Sequence, residues 1–345
     1  MMKQKRIKAF AAILSWTFLL SMTGCGSQAE APADGAAEGE LDVINEAVMT
    51  GGFDYYTTAI GKWQGIFEKY GIDLQITEYV SGIRTIDAIV NDTSSIGMMA
   101  NYAAVNRIGN TLHDTNLVLI SEMGGANWDG GLYVAPQYAD NLEALDGSEG
   151  FVTSIGTSSD YYVWKFMEYL GLDPDKQNWV NTDSDATALA VVQRGDASAY
   201  FTSGAQAERV EEYGWVLAVP LRELTDLARG HYFITTEEYY EENQELLVRW
   251  MKAVQESFNY IHEHLEECGD YLEAAYSVDK KVFEDEWNSM VSKLGFSQEG
   301  AQALIDMEEW CYDNGRFEED YDITQFIRPE VALEAVPENT TYTRE

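Results

Sequence analysis

From Leu41 onward the apolar positions switch repeatedly between period two and period 3.6, which predicts strands alternating with amphipathic helices. Leu41–Met49 reads as a strand that Gly51-Gly52 ends, and a helix follows over about Tyr55–Lys69. Its Tyr56, Ile60, Trp63 and Phe67 fall on one face at spacings of 4, 3 and 4. Ile72–Tyr79 is the next strand, Ser81-Gly82 a turn and Thr85–Val90 a short helix. Ile96–Met99, a helix over Tyr102–Ile108 and the strand Leu117–Ser121 complete the first set. Gly124-Gly125 and Gly130-Gly131 flank a crossover. A second set then reads Phe151–Ile155 (strand), Tyr161–Leu170 (helix), Trp179-Val180 (strand), Ala186–Arg194 (helix), Ala197–Phe201 (strand), Ala205–Glu212 (helix) and Trp215–Val219 (strand), with His231–Ile234 as a return strand. Alternation of this kind implies βαβ units and parallel sheet.

After Thr235 only helices are predicted. Leu247, Trp250, Met251, Val254, Phe258, Ile261 and Leu265 form one apolar stripe, and further helices are expected over Lys280–Leu294 and Ser297–Tyr312. The fold class is therefore α/β in two lobes, with the C-terminal helices packed back on the first. The expected division is 41–128 with 235–340 for lobe 1, and 129–234 for lobe 2.

The first 40 residues follow a different pattern. Lys3, Lys5, Arg6 and Lys8 precede the apolar stretch Ala9–Leu20, and Ser21-Met22-Thr23-Gly24-Cys25 follows. Basic residues, a short apolar run and a small residue before Cys form an export signal ending in a bacterial lipobox. The run is shorter than the roughly 20 apolar residues of a membrane span. The expectation is a signal peptide over 1–24, lipidation at Cys25, and a flexible Ala/Gly/Glu/Pro-rich tether over 25–40. The protein would sit on the outer face of the bacterial cell membrane, held there by the lipid alone.

Composition narrows the partners. The 345 residues carry a net charge of −37, and removing 1–24 takes away four of the 22 Lys and Arg and no acid, leaving −41. Such a chain repels nucleic acid and anionic lipid. Besides Cys25 there are Cys268 and Cys311, for which a helix–helix disulfide and two buried free thiols both stay open.

An ordered series of short motifs carries a family resemblance. It runs Tyr70-Gly71-Ile72-Asp73-Leu74, Tyr79-Val80-Ser81-Gly82, Ile86-Asp87-Ala88-Ile89, Ser95-Ile96-Gly97-Met98, Gly156-Thr157-Ser158-Ser159, Leu170-Gly171-Leu172-Asp173-Pro174, and Ala188-Leu189-Ala190 before Arg194-Gly195-Asp196-Ala197. Together with the lipobox, this series resembles the solute-binding proteins of ABC importers for nitrate, alkyl sulfonates, taurine and thiamine pyrimidine precursors. The resemblance spans roughly Leu41–Leu265. It departs from the family at Asn91-Asp92-Thr93-Ser94-Ser95-Ile96-Gly97, where alignment shifts by about a residue. It implies a type II periplasmic-binding-protein fold, a Venus flytrap whose two lobes close on a small-molecule ligand, and a membrane permease as partner. A monomer without cofactor is expected.

Ligands of open α/β sheets lie at the loops after strand carboxyl ends. That rule selects Gly52, Phe53, Asp54 and Tyr55; Ser81, Gly82 and Arg84; Asn101 and Tyr102; Thr157, Ser158, Ser159, Asp160 and Tyr161; and Thr202 and Ser203. Trp128 and Asp129 at the crossover complete the set. Two chemistries compete. Helix N-termini and Arg84 suit a sulfonate, taurine or nitrate anion. Asp54, Asp129 and Asp160 among aromatic side chains suit a nitrogen heterocycle of the thiamine-precursor kind, or an organic cation. The acids stand where an anion would bind, so the heterocycle is the first reading. Asp54 and Asp160 are also plausible helix N-caps.

Other classes are set aside. Asn181-Thr182-Asp183-Ser184-Asp185 begins like a calcium loop, but Ala186 replaces its Gly and Val192 its final Glu. His262 and His264 are two apart on a helix, leaving His113 and His231, too few for a zinc-carrier site. No Gly-x-Ser-x-Gly, His-Glu-x-x-His or P-loop occurs. A thiamine-pyrimidine-synthase-like enzyme shares the fold, and the export signal argues against it.

Overall fold

The computed structural model describes residues 40–114, 116–126, 130–224 and 229–344. The signal, Cys25 and nearly all of the tether, together with Trp128 and Asp129, lie outside them.

The strands are β1 (Asp42–Met49), β2 (Ile72–Tyr79), β3 (Ile96–Ala100), β4 (Leu117–Ala126), β5 (Gly131–Val134), β6 (Phe151–Thr153), β7 (Trp179–Asn181), β8 (Ala199–Thr202), β9 (Val216–Pro220), β10 (Arg229–Thr236) and β11 (Met290–Gly295). They form two sheets, ordered β11-β4-β10-β3-β1-β2 and β7-β6-β8-β5-β9. The chain leaves the first sheet after β4 and returns to it with β10, so residues 131–220 build the second.

The sequence pattern led us to expect parallel sheets, and both are mixed. β1 pairs in parallel with β2 and β3, whereas β10 runs antiparallel to β3 and β4, and β11 antiparallel to β4. In the second sheet β5 is antiparallel to β8 and β9. The antiparallel strands are the ones entering from crossovers or from the C-terminal helices, which arrive from the opposite end to a βα connection. β5, four buried residues, begins at Gly131 in the stretch that the sequence pattern assigns to a crossover.

The helices of the first set are α1 (Phe53–Trp63), α2 (Ile66–Lys69), α3 (Gly82–Val90) and α4 (Asn101–Asn110). The second set holds α5 (Ser158–Leu170), α6 (Asp185–Arg194) and α7 (Gly204–Glu212). The C-terminal set is α8 (Glu237–Glu242), α9 (Gln244–Glu263), α10 (Leu265–Tyr276), α11 (Lys280–Ser289), α12 (Gln298–Asp313) and α13 (Glu330–Ala335). The single helix expected over Tyr55–Lys69 is broken at Gly65, whose φ of 67° is a left-handed conformation glycine adopts without a Cβ clash. The stripe expected to run to Leu265 breaks at His264. The helix expected to reach Leu294 ends at Ser289, because residues 290–295 pair with the open edge of β4.

The packing explains the apolar stripes. Leu247, Trp250, Met251, Val254, Phe258 and Ile261 of α9 are buried against α1 and the first sheet, so the C-terminal helices cover that sheet as expected. Gly61 permits the approach of α1 to α9: a Cβ there would lie 2.2 Å from Ser257 Oγ and 2.6 Å from Phe67. A second core joins Met99, Tyr102 and Leu119 to Leu132, Phe151, Phe166 and Phe201, so it is continuous from one sheet to the other through α4, α5 and α12. A third, smaller core lies between the second sheet and α6 and α7. No helix of the described residues is long and apolar enough to cross a membrane. Cys268 and Cys311 are free, buried thiols, one in each of the two larger cores.

Candidate functional site

The loops selected from sequence all follow the carboxyl ends of β1, β2, β3, β6 and β8, and each leads into a helix. β1, β2 and β3 point one way in the first sheet, and β6 and β8 point one way in the second. The two sets approach one another at the loop before α5. A Cβ on Gly156, in the loop before α5, would lie 3.6 Å from Ile83 Cδ1 of α3 and 3.6 Å from Asn106 Nδ2 of α4.

At the first loop Asp54 is 1% exposed. Its Oδ2 accepts the Met49 N–H at 3.2 Å, while Oδ1 has no partner. It therefore ties the helix back to β1 and does not act as an N-cap, since Gly52 occupies that position without a side-chain bond. A Cβ on Gly52 would lie 2.5 Å from Asp54 Oδ1, so this folded-back rotamer needs glycine there. Burial pushes the Asp54 carboxyl up to about 7. Beneath it Glu46 of β1 is also buried; its Oε2 accepts from Trp250 Nε1 at 2.9 Å and its Oε1 has no partner. Burial raises Glu46 to about 8, with the Asp54 charge adding to the effect. Phe53 stands edge-on to His231 at 6.0 Å and to Trp287 at 6.5 Å between ring centres. Tyr55 packs on Tyr276 at 5.5 Å.

At the second loop Ser81 and Gly82 start α3 without a side-chain cap, and Arg84 is exposed and reaches Asp87 at 3.4 Å. At the third, Asn101 is buried, its Oδ1 accepting the Tyr102 N–H, and Tyr102 is fully buried.

At the fourth, Thr157 is the N-cap of α5: its Oγ1 accepts the Ser159 N–H at 3.2 Å and donates to Ser154 O at 2.7 Å. Ser158 is buried, and its Oγ has no partner. Asp160, anticipated as a cap or a ligand carboxylate, is instead engaged inside the protein. Its Oδ2 accepts the Gly156 N–H at 2.9 Å and the Tyr102 O–H at 3.1 Å, and it pairs with Arg316 Nη2. Tyr161 packs on Tyr102 and on Trp310, the latter at 4.8 Å and 89°. At the fifth, Thr202 is buried and Ser203 half-buried; a Cβ on Gly130 would lie 2.7 Å from Ser203 Cβ, which sets this loop beside the first crossover.

Three residues near these loops were not selected from sequence. His231 lies opposite Ala100 in the β10–β3 register, at the carboxyl end of β3. Trp287 enters from α11, and Arg316 follows α12, 156 positions from Asp160. Nothing in their local sequence marks them, since only pairing and packing bring them here. Among the described residues no group of three His, Cys, Asp or Glu could hold a metal ion. A hollow of about 560 Å³ between Leu112, His113 and the 319–326 segment contains none of the loop residues.

Comparison with known proteins agrees with this architecture. The chain is similar to the alkanesulfonate-binding protein SsuA from Xanthomonas axonopodis pv. citri (TM-score 0.70, 12% identity, 84% of this chain and 99% of that one). It is similar to the periplasmic nitrate-binding protein NrtA from Synechocystis PCC 6803 (TM-score 0.67, 15% identity, 87% and 89% of the two chains). It is also similar to the desulfurization enzyme DSZB (TM-score 0.64, 12% identity, 86% and 99%). At such identities the likeness is one of fold, that of the periplasmic binding proteins. No curated protein sequence matches the chain. The family described as NMT1/THI5 like matches residues 53–268, well over half of the 345. Two mixed sheets with helix-bearing loops at shared carboxyl ends, and a sequence match over that span, make this chain a member of the NMT1/THI5-like family.

Proposed function

We propose that this protein is the extracytoplasmic solute-binding component of an ABC importer, lipid-anchored through Cys25, that captures a small molecule between two lobes and presents it to a membrane permease. The lobes comprise 41–128 with 235–340, and 129–234. The observation that carries the reading is the set of carboxyl-end loops on two sheets that approach one another at Gly156 and Ile83. Family and fold support it, and the basic-apolar-Cys start of the sequence fits export. The fold is shared with an enzyme as well as with binding proteins; a sequence without Gly-x-Ser-x-Gly, His-Glu-x-x-His or a P-loop favours binding over catalysis.

For the ligand we favour a nitrogen heterocycle of the thiamine-precursor kind. Asp54 already fills the start of α1 with its own carboxyl group, and its unpartnered Oδ1 suits an N–H donor flanked by Phe53. A sulfonate, taurine or nitrate anion is the second reading. It is favoured by the uncapped start of α3 beside Arg84, and by the names of the alkanesulfonate- and nitrate-binding neighbours.

Thermal unfolding against pyrimidines, thiamine, taurine, alkyl sulfonates and nitrate tests both. Ligand at 100 times its dissociation constant adds about 2.7 kcal/mol. A shift with a heterocycle supports the first reading and a shift confined to the anions the second. No shift with any of them would remove both ligand classes.

A further inference from the structure

The geometry points to Arg316 as the positioning residue of the cleft: its guanidinium clamps Asp160 of α5 to Tyr102 of α4, fixing the Gly156–Ser159 loop and the seat of one sheet on the other. The inference rests on the reading above only in taking that loop to face the ligand.

Arg316 Nε donates to the Tyr102 hydroxyl oxygen at 3.0 Å, and Nη2 pairs with Asp160 Oδ2. The Tyr102 hydroxyl in turn donates to the same Oδ2, which also holds the Gly156 N–H. Three donors from three parts of the chain thus converge on one carboxylate oxygen. The Asp160 side chain is 2% exposed and that of Arg316 17%, so both charges are largely withdrawn from solvent and each depends on the other. The guanidinium lies 4.8 Å from the Trp164 ring, on the same helix as Asp160. Trp310 packs edge-on against Tyr161 and Trp164 and donates to Glu168 Oε1 at 3.3 Å. A fork donating in two directions is what a guanidinium supplies and an ammonium does not. Because Gly156 N–H is bound to the clamped oxygen, the loop follows the clamp.

The test uses the full-length chain in detergent, with Arg316→Met, Arg316→Lys and the double variant Asp160→Asn/Arg316→Met. The last keeps one oxygen acceptor for Gly156 and Tyr102 to share and leaves no stranded charge. Hydrogen exchange of the 154–161 segment is compared with that of α6, which takes no part in the clamp, and affinity is measured for whichever of pyrimidines, thiamine, taurine, alkyl sulfonates and nitrate shifts the wild-type melting point most. We expect Arg316→Met to speed exchange in 154–161 at least about tenfold relative to α6 and to weaken binding by a similar factor. Arg316→Lys should fall between it and the wild type, and the double variant should regain melting temperature without regaining affinity or loop protection. The inference is overturned if 154–161 stays protected in Arg316→Met. It is equally overturned if the double variant recovers wild-type exchange and affinity, which would make Arg316 a mere counter-charge. Should the wild type bind nothing, the functional reading fails, and the exchange measurement alone decides the role of Arg316.

Discussion

Tyr102 and Asp160, 58 positions apart and on helices belonging to different sheets, share a hydrogen bond of 3.1 Å with both side chains out of solvent. Burial raises the Tyr102 hydroxyl well above its ordinary range, so it remains a donor at all working pH values. Tyr102→Phe removes that donor and also the oxygen that Arg316 Nε donates to. A buried group left without its partner costs about 1–3 kcal/mol. We expect a loss of that size in chemical denaturation. Wild-type stability would show that water takes the place of the hydroxyl.

The buried acids predict an alkaline weakness. Glu46 rises from 4.5 to about 8 and Asp54 from 3.8 to about 7, both because burial penalises the charged form. Between those values the folded chain holds more protons than the unfolded one, so stability is full near pH 4 and falls as pH rises towards 8. Glu46→Gln keeps an acceptor for Trp250 and cannot ionise. It should raise the melting temperature at pH 8 by about 2–4 °C and leave it nearly unchanged at pH 5. Parallel pH profiles for the two proteins would refute this.

Asp54→Asn separates the two ligand readings. The change keeps the acceptor for Met49 N–H and removes a carboxyl group that is charged only above about pH 7, so the two proteins are compared at about pH 8. Binding of an amino heterocycle should weaken about tenfold or more, since hydrogen bonds to charged groups are worth about 1.5–3 kcal/mol. Binding of an anion should strengthen. Calorimetric titration of both ligand types distinguishes the cases, and an unchanged affinity for each would take Asp54 out of the site.

Gly61→Ala should destabilise by about 1–3 kcal/mol through overpacking, because the added carbon would sit 2.2 Å from Ser257 Oγ. The helix itself would gain from alanine, so a stabilised variant would mean that α1 and α9 can slide apart at no cost.

Thiol titration checks the cysteines. Cys268 and Cys311 are buried and unpaired, and burial pushes the Cys268 thiol up to about 12. Neither should react with a thiol reagent in the folded protein, and both should react in denaturant. Failure to react in denaturant would reveal a disulfide.

Local pattern carried the element order, because burial on one face leaves a period in the sequence that side-chain transfer energy alone dictates. β2 was bounded correctly at Ile72 and Tyr79, and α5, α6, α7 and α12 to within a few residues. The loops after the strands were legible for the same reason: Gly51-Gly52, Ser81-Gly82 and Gly156 interrupt the period where the chain must turn. The antiparallel return of β10, the addition of β11 to the sheet edge and the break at Gly65 were decided by pairing with distant partners, for which a short apolar run fits helix and strand alike. So was the state of the two acids at helix starts. As sequence, Asp54 and Asp160 are the same residue in the same place. Folding buries Asp54 against Glu46 with no counter-charge, and delivers Arg316 to Asp160 from 156 positions away. The environment of a carboxylate depends on which charges and dipoles surround it, and only the tertiary structure chooses those neighbours.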